Sequence, residues 1–386
     1  MAGSYGFLST HPPTQCGLAT FNSALAAHLT SDDSPGGVVR VDVGGDDAGQ
    51  GMRPGASVPP VVHTWSTPGI AGWQAAAAAL DRFDTVIVQH EYGIYPGPDG
   101  GDVVPLLRRL RAPSIVVLHT VLAHPSAGQK RVLEQLVAAA GAVVTMTGTA
   151  RDRLLVGYAV DAAKVSVIPH GAADHAGTLA EPRPRPRPHL LTWGLLGPGK
   201  GIEWALRAVA RLRDLRPAVT YTVAGRTHPK VRERHGEAYR TRLQRLGTLL
   251  GISEVVDYLP VYHDEAALGR LIRSADVVVL PYDSSEQVTS GVLTEAVAAG
   301  VPVVATPFPH AVELLTNGPG LLVPHRDPAA LAAGIEPGLT DPGGLALSGH
   351  ARPPTLLWPA VAARYETLAE RLRSAGSPVA ATAARA

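Results

Sequence analysis

The chain has 386 residues, more than one hydrophobic core usually carries, so two domains or three are expected. Its 45% hydrophobic content is typical of a globular protein, and a formal net charge of +1 provides no overall attraction for nucleic acid or an anionic membrane. A single cysteine excludes an intrachain disulfide and a cysteine-rich metal site, and no segment approaches the roughly 18 apolar residues of a membrane-spanning helix.

Short runs rich in Val and Ile recur along the chain between Ala- and Leu-rich stretches that are typical of helices. Because these runs are continuously apolar, they predict strands buried on both faces, as in a parallel sheet covered by helices. Two successive sets of such units predict an α/β fold with two doubly wound, Rossmann-like domains. The expected strands lie near residues 5–8, 38–43, 85–89, 114–118, 142–146, 164–168, 190–194, 219–224, 255–259, 276–280, 302–305 and 320–323.

Ligands of open α/β sheets bind beyond the carboxyl ends of the strands, so the residues at those ends are the candidates for function. Gly17 follows the first strand and opens a predicted helix, where free amides can meet a phosphate or hydroxyl, although a simple tight turn explains it equally well. His90 and Glu91 follow the strand at 85–89, and His119 follows the strand at 114–118. Such groups can bind sugar hydroxyls or relay protons, the alternative being histidines satisfied by local partners.

Residues 181–188 alternate proline with arginine after an initial glutamate, which favours an extended, solvated path rather than a helix or central strand. We interpret them as a linker between a first domain at 1–180 and a second at 189–352, the alternative being a long surface loop within one domain. Residues 353–386 begin with a Pro-Pro break, and an amphipathic helix is predicted over 358–372.

The second domain opens with a strand followed by a glycine-rich loop that contains Gly197, Gly199 and Lys200. Loop amides can cradle a diphosphate and the ammonium group can neutralise it. Gly201 follows the lysine, so the loop lacks the magnesium-binding hydroxyl of a P-loop. Only four lysines occur in the chain, so a lysine in this loop favours a functional role. The alternative is an ordinary solvated lysine, as most lysines are.

A second polar segment follows the strand at 276–280 and leads into a helix. Ser290 and Gly291 are expected at the helix N-terminus, and Glu295 lies about one turn later, where it can accept hydrogen bonds from a ribose. Glu286 and Gln287 precede the helix. The alternative for Glu295 is an ordinary solvated or capping glutamate.

These motifs make most of the chain similar to the retaining glycosyltransferases of family 4, which have a GT-B fold with two Rossmann-like domains facing across a cleft. The most specific piece is residues 295–306, EAVAAGVPVVAT, and the supporting pieces are residues 168–171, 194–201 and 275–281. The resemblance implies that Lys200 and the loop amides bind the donor diphosphate, that Glu295 holds the ribose, and that residue 287 contacts the transferred hexose. It also implies that the terminal helix packs back on the first domain.

Two residues depart from the family pattern. Residue 287 is Gln where the family has Glu, so it can hydrogen-bond a sugar but carries no charge; Glu286 lies one step earlier. Residue 195, five before the lysine, is Leu where the family usually has Arg, which removes one of two phosphate cations. Either this is a subgroup with a rearranged site or its use of the donor is altered.

The leading functional hypothesis is a metal-independent enzyme that moves a hexose (glucose, mannose or a derivative) from a nucleoside diphosphate sugar to a hydroxyl acceptor. His90, Glu91, His119 and Gln287 are the expected catalytic residues, and no cofactor is expected. The alternatives are a GT-B phosphorylase and a non-catalytic nucleotide-sugar binding protein. We expect a cytoplasmic location, with no nucleic-acid partner, and peripheral membrane contact only if the acceptor is a lipid.

Overall fold

The computed structural model describes residues 3–42, 58–175, 188–316, 318–340 and 353–376. Elements are numbered in chain order. The chain divides into two compact units, the first comprising Met1–Gly171 and Trp358–Ala386, the second Ala172–Leu357. Among the described residues, no helix combines the length and apolar character needed to cross a membrane.

Within the described residues, the first unit contains a seven-stranded parallel sheet in the order β3-β2-β1-β4-β5-β6-β7. Its strands are β1 (Tyr5–Ser9), β2 (Gly36–Val41), β3 (Val61–Trp65), β4 (Thr85–His90), β5 (Ser114–Leu118), β6 (Ala142–Thr145) and β7 (Val165–Val167). Its helices are α1 (Gly17–Leu29), α2 (Ile70–Leu80), α3 (Val103–Arg109), α4 (Ala127–Ala139), α5 (Gly148–Gly157) and α13 (Trp358–Gly376).

The described part of the second unit contains a six-stranded parallel sheet in the order β10-β9-β8-β11-β12-β13. Its strands are β8 (His189–Trp193), β9 (Thr220–Ala224), β10 (Val256–Leu259), β11 (Val277–Leu280), β12 (Val303–Ala305) and β13 (Gly320–Leu322). Its helices are α6 (Ile202–Arg211), α7 (Pro229–His235), α8 (Ala238–Leu249), α9 (Glu265–Arg273), α10 (Gly291–Ala298), α11 (Pro309–Leu315) and α12 (Pro328–Thr340).

The central strands are buried on both faces, as their continuous apolar sequence predicts. Along β11, Val277 and Val279 pack into one hydrophobic cluster with α6, α8 and α12, while Val278 and Leu280 pack into another with α10 and α11. Successive side chains of a strand point to opposite faces, so one short run serves two layers of helices. The doubly wound architecture of both units is therefore confirmed.

All twelve expected strands are present, with ends that differ by at most two residues. The strand expected at 38–43 spans Gly36–Val41 instead, and residue 43 lies outside the described residues. β3 was missed because it is an edge strand whose first residue, Val61, is exposed and which follows two prolines. Such a strand lacks the continuous apolar run that identifies a central one.

The chain passes from the first unit to the second between Gly171 and Ala172, and returns between Leu357 and Trp358. The sequence prediction placed the first boundary at residue 180, followed by a linker at 181–188. Apart from Pro188, that linker lies outside the described residues. The second boundary was expected after residue 352, and the short 3-10 turn Pro354–Leu356 precedes α13.

The helix expected at 358–372 is α13, and it belongs to the core of the first unit. Trp358, Val361, Tyr365 and Ala369 recur at helical spacing and are all buried against α1 and the sheet. The Trp358 ring lies 5.1 Å from that of Phe21 in an edge contact. The C-terminal segment therefore completes the hydrophobic core formed by the N-terminal half.

Tyr365 is fully buried, and no hydrogen-bond partner for its hydroxyl occurs among the described residues. We expect Tyr365→Phe to leave the free energy of unfolding unchanged or to increase it, because a buried unpaired hydroxyl costs stability. Tyr365→Ala should lower it by about 3–5 kcal/mol through loss of packing. Urea denaturation followed by circular dichroism measures both, and an equal loss in the two variants would contradict the assignment.

Candidate functional site

The loop that joins β8 to α6 is shaped by glycines and is held against the loop after β11. Gly201 has a φ of 63°, and a Cβ atom there would lie 1.7 Å from the carbonyl oxygen of Pro281. Only glycine fits such a close approach with a left-handed backbone. The amide of Asp283 donates to the carbonyl of Gly199 at 2.9 Å, which adds a second connection between the loops.

Lys200 projects from this loop over the ring of Tyr282, with its Nζ atom 4.2 Å from the ring centroid. Tyr282 is buried and stacks on Phe308 at 5.0 Å, so the aromatic surface beneath the ammonium is rigid. A cation over an aromatic face is stabilised by the ring quadrupole. The lysine is thus oriented at the carboxyl end of the sheet, and neither Tyr282 nor its role was predicted from the sequence.

The Asp283 side chain connects two further elements around the lysine. Its Oδ1 atom accepts hydrogen bonds from Trp204 Nε1 at 3.2 Å and from Arg326 Nε at 3.1 Å. Nearby, His325 Nδ1 donates to the carbonyl of Tyr282 at 2.8 Å. Helix α6 and the loops after β11 and β13 are therefore joined by side-chain hydrogen bonds. The sequence indicates these contacts only through the position of the loops, each of which follows a strand.

The N-terminus of α10 is where the sequence predicts it. Ser290 is the N-cap, buried, and its hydroxyl accepts from the amide of Leu293 at 3.2 Å. The amide of Ser290 donates to Nδ1 of the buried His310 at 2.8 Å, which fixes the neutral tautomer with the proton on Nε2. Gly291 opens the helix, and amides of a first turn have no intrahelical acceptor. This end of α10 can accept an anion.

Glu286 and Gln287 lie in the loop before α10, partly buried. The side-chain amide of Gln287 donates to the carbonyl of Thr289 at 3.1 Å. The backbone carbonyl of Gln287 accepts from the backbone amide of His310 at 3.3 Å. Gln287 therefore shapes its own turn. The backbone amide of Glu286 donates to the hydroxyl of Ser284 at 3.2 Å.

Glu295 is engaged within the second unit by a segment that the sequence did not single out. Its Oε2 atom accepts from His175 Nε2 at 3.0 Å, and Oε1 accepts from the amide of Ala173 at 3.4 Å. Arg273 donates to the carbonyl of His175 at 2.9 Å and holds the segment in place. The Glu295 side chain is 18% exposed, so part of the carboxylate still reaches solvent.

The candidates of the first unit lie at the carboxyl ends of β4 and β5. His90 is fully buried, and neither ring nitrogen has a hydrogen-bond partner among the described residues. Burial lowers the pKa of His90 to about 4, so the ring is neutral at physiological pH. Glu91 accepts through Oε1 from the amide of Tyr92 at 3.0 Å and through Oε2 from the hydroxyl of Thr120. These bonds orient the carboxylate.

His119 lies beside His90, because its backbone amide donates to the His90 carbonyl at 3.1 Å. Its Nε2 atom lies 2.9 Å from the Oε1 atom of Gln89, to which it donates, and its ring contacts Phe21 edge-on at 4.8 Å. Burial, together with His170 and His90, lowers the pKa of His119 to about 3. His119 is therefore a neutral, oriented imidazole.

Gly17 is the first residue of α1, exposed, and a Cβ atom there would meet nothing within 4 Å. Neither packing nor backbone conformation requires glycine, so the position is open to solvent at a helix N-terminus. Cys16 caps this helix through its Sγ atom, which accepts from Ala19. In the described parts of the chain, no group of three His, Cys, Asp or Glu side chains is placed to hold a metal ion.

Residues 187–341 match the family model Glycosyl transferases group 1. The chain is 31% identical over 209 residues to glycogen synthase of Mycobacterium tuberculosis, covering 54% of this chain and 47% of that protein. It is 32% identical over 232 residues to D-inositol 3-phosphate glycosyltransferase of Streptomyces avermitilis, covering 56% and 48%. The chain thus spans about half the length of the curated relatives it matches.

Solved structures extend the likeness to nearly the whole chain. A glycosyltransferase from Rickettsia africae superposes with a TM-score of 0.72 at 15% identity over 96% of this chain and 98% of that one. Anabaena HepE in complex with UDP and glucose gives 0.67 at 18% identity over 96% and 100%. A UDP-forming trehalose-phosphate synthase from Burkholderia xenovorans gives 0.69 at 16% over 98% and 100%. The two parallel α/β units thus have the GT-B fold.

The buried neutral His90 makes the stability of the first unit depend on pH. Its pKa is about 4 when folded, against an ordinary value of 6.5, so the unfolded chain binds more protons between these values. Stability from this residue is complete above pH 6.5 and decreases as the pH falls toward 4. We expect wild type to lose about 1.4 kcal/mol more than His90→Gln between pH 7.5 and 5.5.

Urea denaturation at the two pH values measures this difference. His124→Gln is the matched control, because His124 is exposed in the same unit, and it should behave as wild type does. Equal losses in wild type and His90→Gln would show that His90 is hydrogen-bonded and titrates normally.

Proposed function

We propose that this protein is a retaining glycosyltransferase that transfers a hexose from a nucleoside diphosphate sugar to a hydroxyl acceptor. The observation that carries the proposal is Lys200, fixed over Tyr282 at the end of a glycine loop whose Gly201 permits no side chain. The match of residues 187–341 to Glycosyl transferases group 1 supports it. So does the likeness to a fold whose solved member HepE is in complex with UDP and glucose.

Breaking the bond between the sugar and its diphosphate places negative charge on the departing phosphate oxygens. The ammonium of Lys200 and the amides of the glycine loop, which includes Gly197 and Gly199, are proposed to stabilise that charge. The first turn of α10, at Ser290 and Gly291, supplies further amides and the positive end of a helix dipole. Protein groups thus take the role that a metal ion has elsewhere, and we propose that the reaction needs neither metal nor cofactor.

Glu295 is proposed to bind the ribose of the donor. A carboxylate accepts hydrogen bonds from two neighbouring hydroxyls, and the exposed fraction of this one remains available beside its bond with His175. The 3.4 Å contact with the Ala173 amide is long, so a ribose hydroxyl can replace it at small cost. Glu286 and Gln287, in the loop before α10, are proposed to hydrogen-bond the hexose.

The polar strand ends of the first unit are proposed to bind sugar hydroxyls and the acceptor. His119 is neutral, so it can exchange hydrogen bonds with hydroxyls without adding charge beside the diphosphate, and the buried His90 is neutral as well. Glu91, oriented by Tyr92 and Thr120, is the carboxylate of this group and can accept a proton from the acceptor hydroxyl. Gly17 offers an open helix N-terminus for a hydroxyl or phosphate of the ligand.

The function is tested by incubating the purified protein with UDP-, GDP- and ADP-hexoses and with a hexose 1-phosphate, with and without EDTA. Release of the nucleoside diphosphate or of inorganic phosphate is measured. Turnover of one donor, with the anomeric configuration kept in the product and no loss in EDTA, is the expected result. Turnover only with a sugar phosphate would identify a phosphorylase instead. Binding without turnover would identify a nucleotide-sugar binding protein.

Lys200→Ala should lower kcat/KM by about 100-fold or more, because the charge on the leaving diphosphate loses its cation. Lys130→Ala is the matched control, since Lys130 is exposed on α4 and pairs at 3.9 Å with Glu134. That variant should keep the wild-type rate. A Lys200→Ala enzyme within about threefold of wild type would exclude the lysine from the site.

Glu295→Gln should raise the donor KM while kcat stays within about twofold, because a ribose contact is made in the ground state and the transition state alike. Glu254→Gln, at an exposed position of the same unit, is the control. Steady-state kinetics with the preferred donor separate the two constants. A collapse of kcat at unchanged KM would place Glu295 at the reacting carbon instead of the ribose.

A further inference from the structure

A nucleoside diphosphate carries more negative charge than one ammonium can neutralise, yet Lys200 is the sole basic residue of the loop at 194–201. Residue 195, close to the phosphate-binding amides, is the apolar Leu. If the proposed donor is correct, a second cation is expected from another element. The inference below rests on that proposed function.

The loop after β9 runs beside the glycine loop and meets it at one isolated parallel bridge. β8 and β9 end with Trp193 paired to Ala224. Beyond them, the amide of Leu196 donates to the carbonyl of Arg226 at 2.8 Å, and the amide of His228 donates to the carbonyl of Leu196 at 2.8 Å. Leu196 and Thr227 thereby form a parallel bridge.

The bridge has the same offset as the pairing of β8 with β9, so Leu195 and Arg226 each lie one residue before it on neighbouring segments. Leu196 and Thr227 are buried, at 1% and 3% exposed, whereas Leu195 and Arg226 are both partly exposed. Arg226 therefore lies beside Leu195, on the segment that runs next to the glycine loop.

The backbone before Arg226 is fixed. Gly225 has a φ of 129°, and a Cβ atom there would lie 1.9 Å from the carbonyl oxygen of Gly194. Arg240 Nη2 donates to the Gly225 carbonyl at 2.9 Å, and the amide of Gly225 donates to Leu259. Because this backbone is already fixed, the Arg226 side chain loses less conformational entropy when it binds a ligand.

The other basic groups of this loop are less suited to the role. His228 caps α7 by accepting from the amide of Lys230 at 3.2 Å, which requires an unprotonated ring nitrogen. Burial, with the charges of Lys230 and Lys200, lowers the pKa of His228, so the ring is uncharged at neutral pH. Lys230 lies in the first turn of the seven-residue α7 and is exposed.

We propose that Arg226 is the second cation of the donor site and binds the diphosphate together with Lys200. A guanidinium can form two parallel hydrogen bonds with a phosphate, which adds geometry to charge. This arrangement also explains why residue 195 is apolar, because a second guanidinium at that position would repel the guanidinium of Arg226.

Isothermal titration of UDP, GDP and ADP into wild type first selects the diphosphate that binds. Arg226→Ala should bind it about ten-fold more weakly, the loss typical of one charge-assisted hydrogen bond. Arg234→Ala, which removes an exposed arginine of α7, should bind as wild type does. The double variant Leu195→Arg/Arg226→Ala should regain affinity to within about threefold of wild type, since it returns the cation on the paired strand.

A structural role for Arg226 would not produce that regain, so a double variant as weak as Arg226→Ala overturns the proposal. Arg226→Ala binding as tightly as wild type overturns it too, while the proposed function stands. If Arg226→Ala fails to fold, Arg226→Gln keeps the hydrogen-bonding group without the charge, and the same ten-fold loss is expected. A wild type that binds none of the three diphosphates refutes the proposed function itself.

Discussion

The end of the second unit that carries Lys200 depends on one close approach, that of Gly201 to the carbonyl of Pro281. Because the two backbones meet where no side chain fits, the loop after β8 packs directly against the loop after β11. The bond from Asp283 to Gly199 and the contact of Lys200 with Tyr282 lie at the same junction. A flexible cation is thereby placed on a rigid base, which is the arrangement that stabilises developing charge without reorganisation.

Charge is distributed differently in the two units. The second unit places basic groups at the ends of its strands, at Lys200 and Arg226. The corresponding strand ends of the first unit hold histidines that burial keeps neutral, with pKa values of about 4 for His90 and about 3 for His119. Neutral imidazoles beside the single carboxylate of Glu91 suit hydroxyl-rich ligands, whose many weak donors and acceptors need matching hydrogen bonds rather than counterions. The contrast agrees with the proposed nucleoside diphosphate donor and hydroxyl acceptor.

The sequence was sufficient for the fold because buried parallel strands leave continuous apolar runs. Both sheets, and the helix of Trp358 to Gly376, follow from that pattern and from helical spacing. It was insufficient for β3, whose exposed first residue and edge position interrupt the pattern. At the candidate site it identified the glycine loop, Lys200, Ser290 and Glu295 by position, since strand ends and helix starts can be read locally. It missed Tyr282, His310 and Arg226, because their significance lies in contacts with residues distant in sequence.

Glu295 shows that tertiary contacts can change the role that sequence position predicts for a side chain. By position it is a helix carboxylate free to bind a ligand, but in the folded unit it accepts from His175 and from the Ala173 amide, about 120 residues away. The contact makes the carboxylate a connection between α10 and the segment at 172–175, with Arg273 as its further support. Under the proposed donor binding, a ribose that replaces the long Ala173 contact would leave the His175 bond in place. The same carboxylate would then serve both the ligand and the residues where the chain enters the second unit.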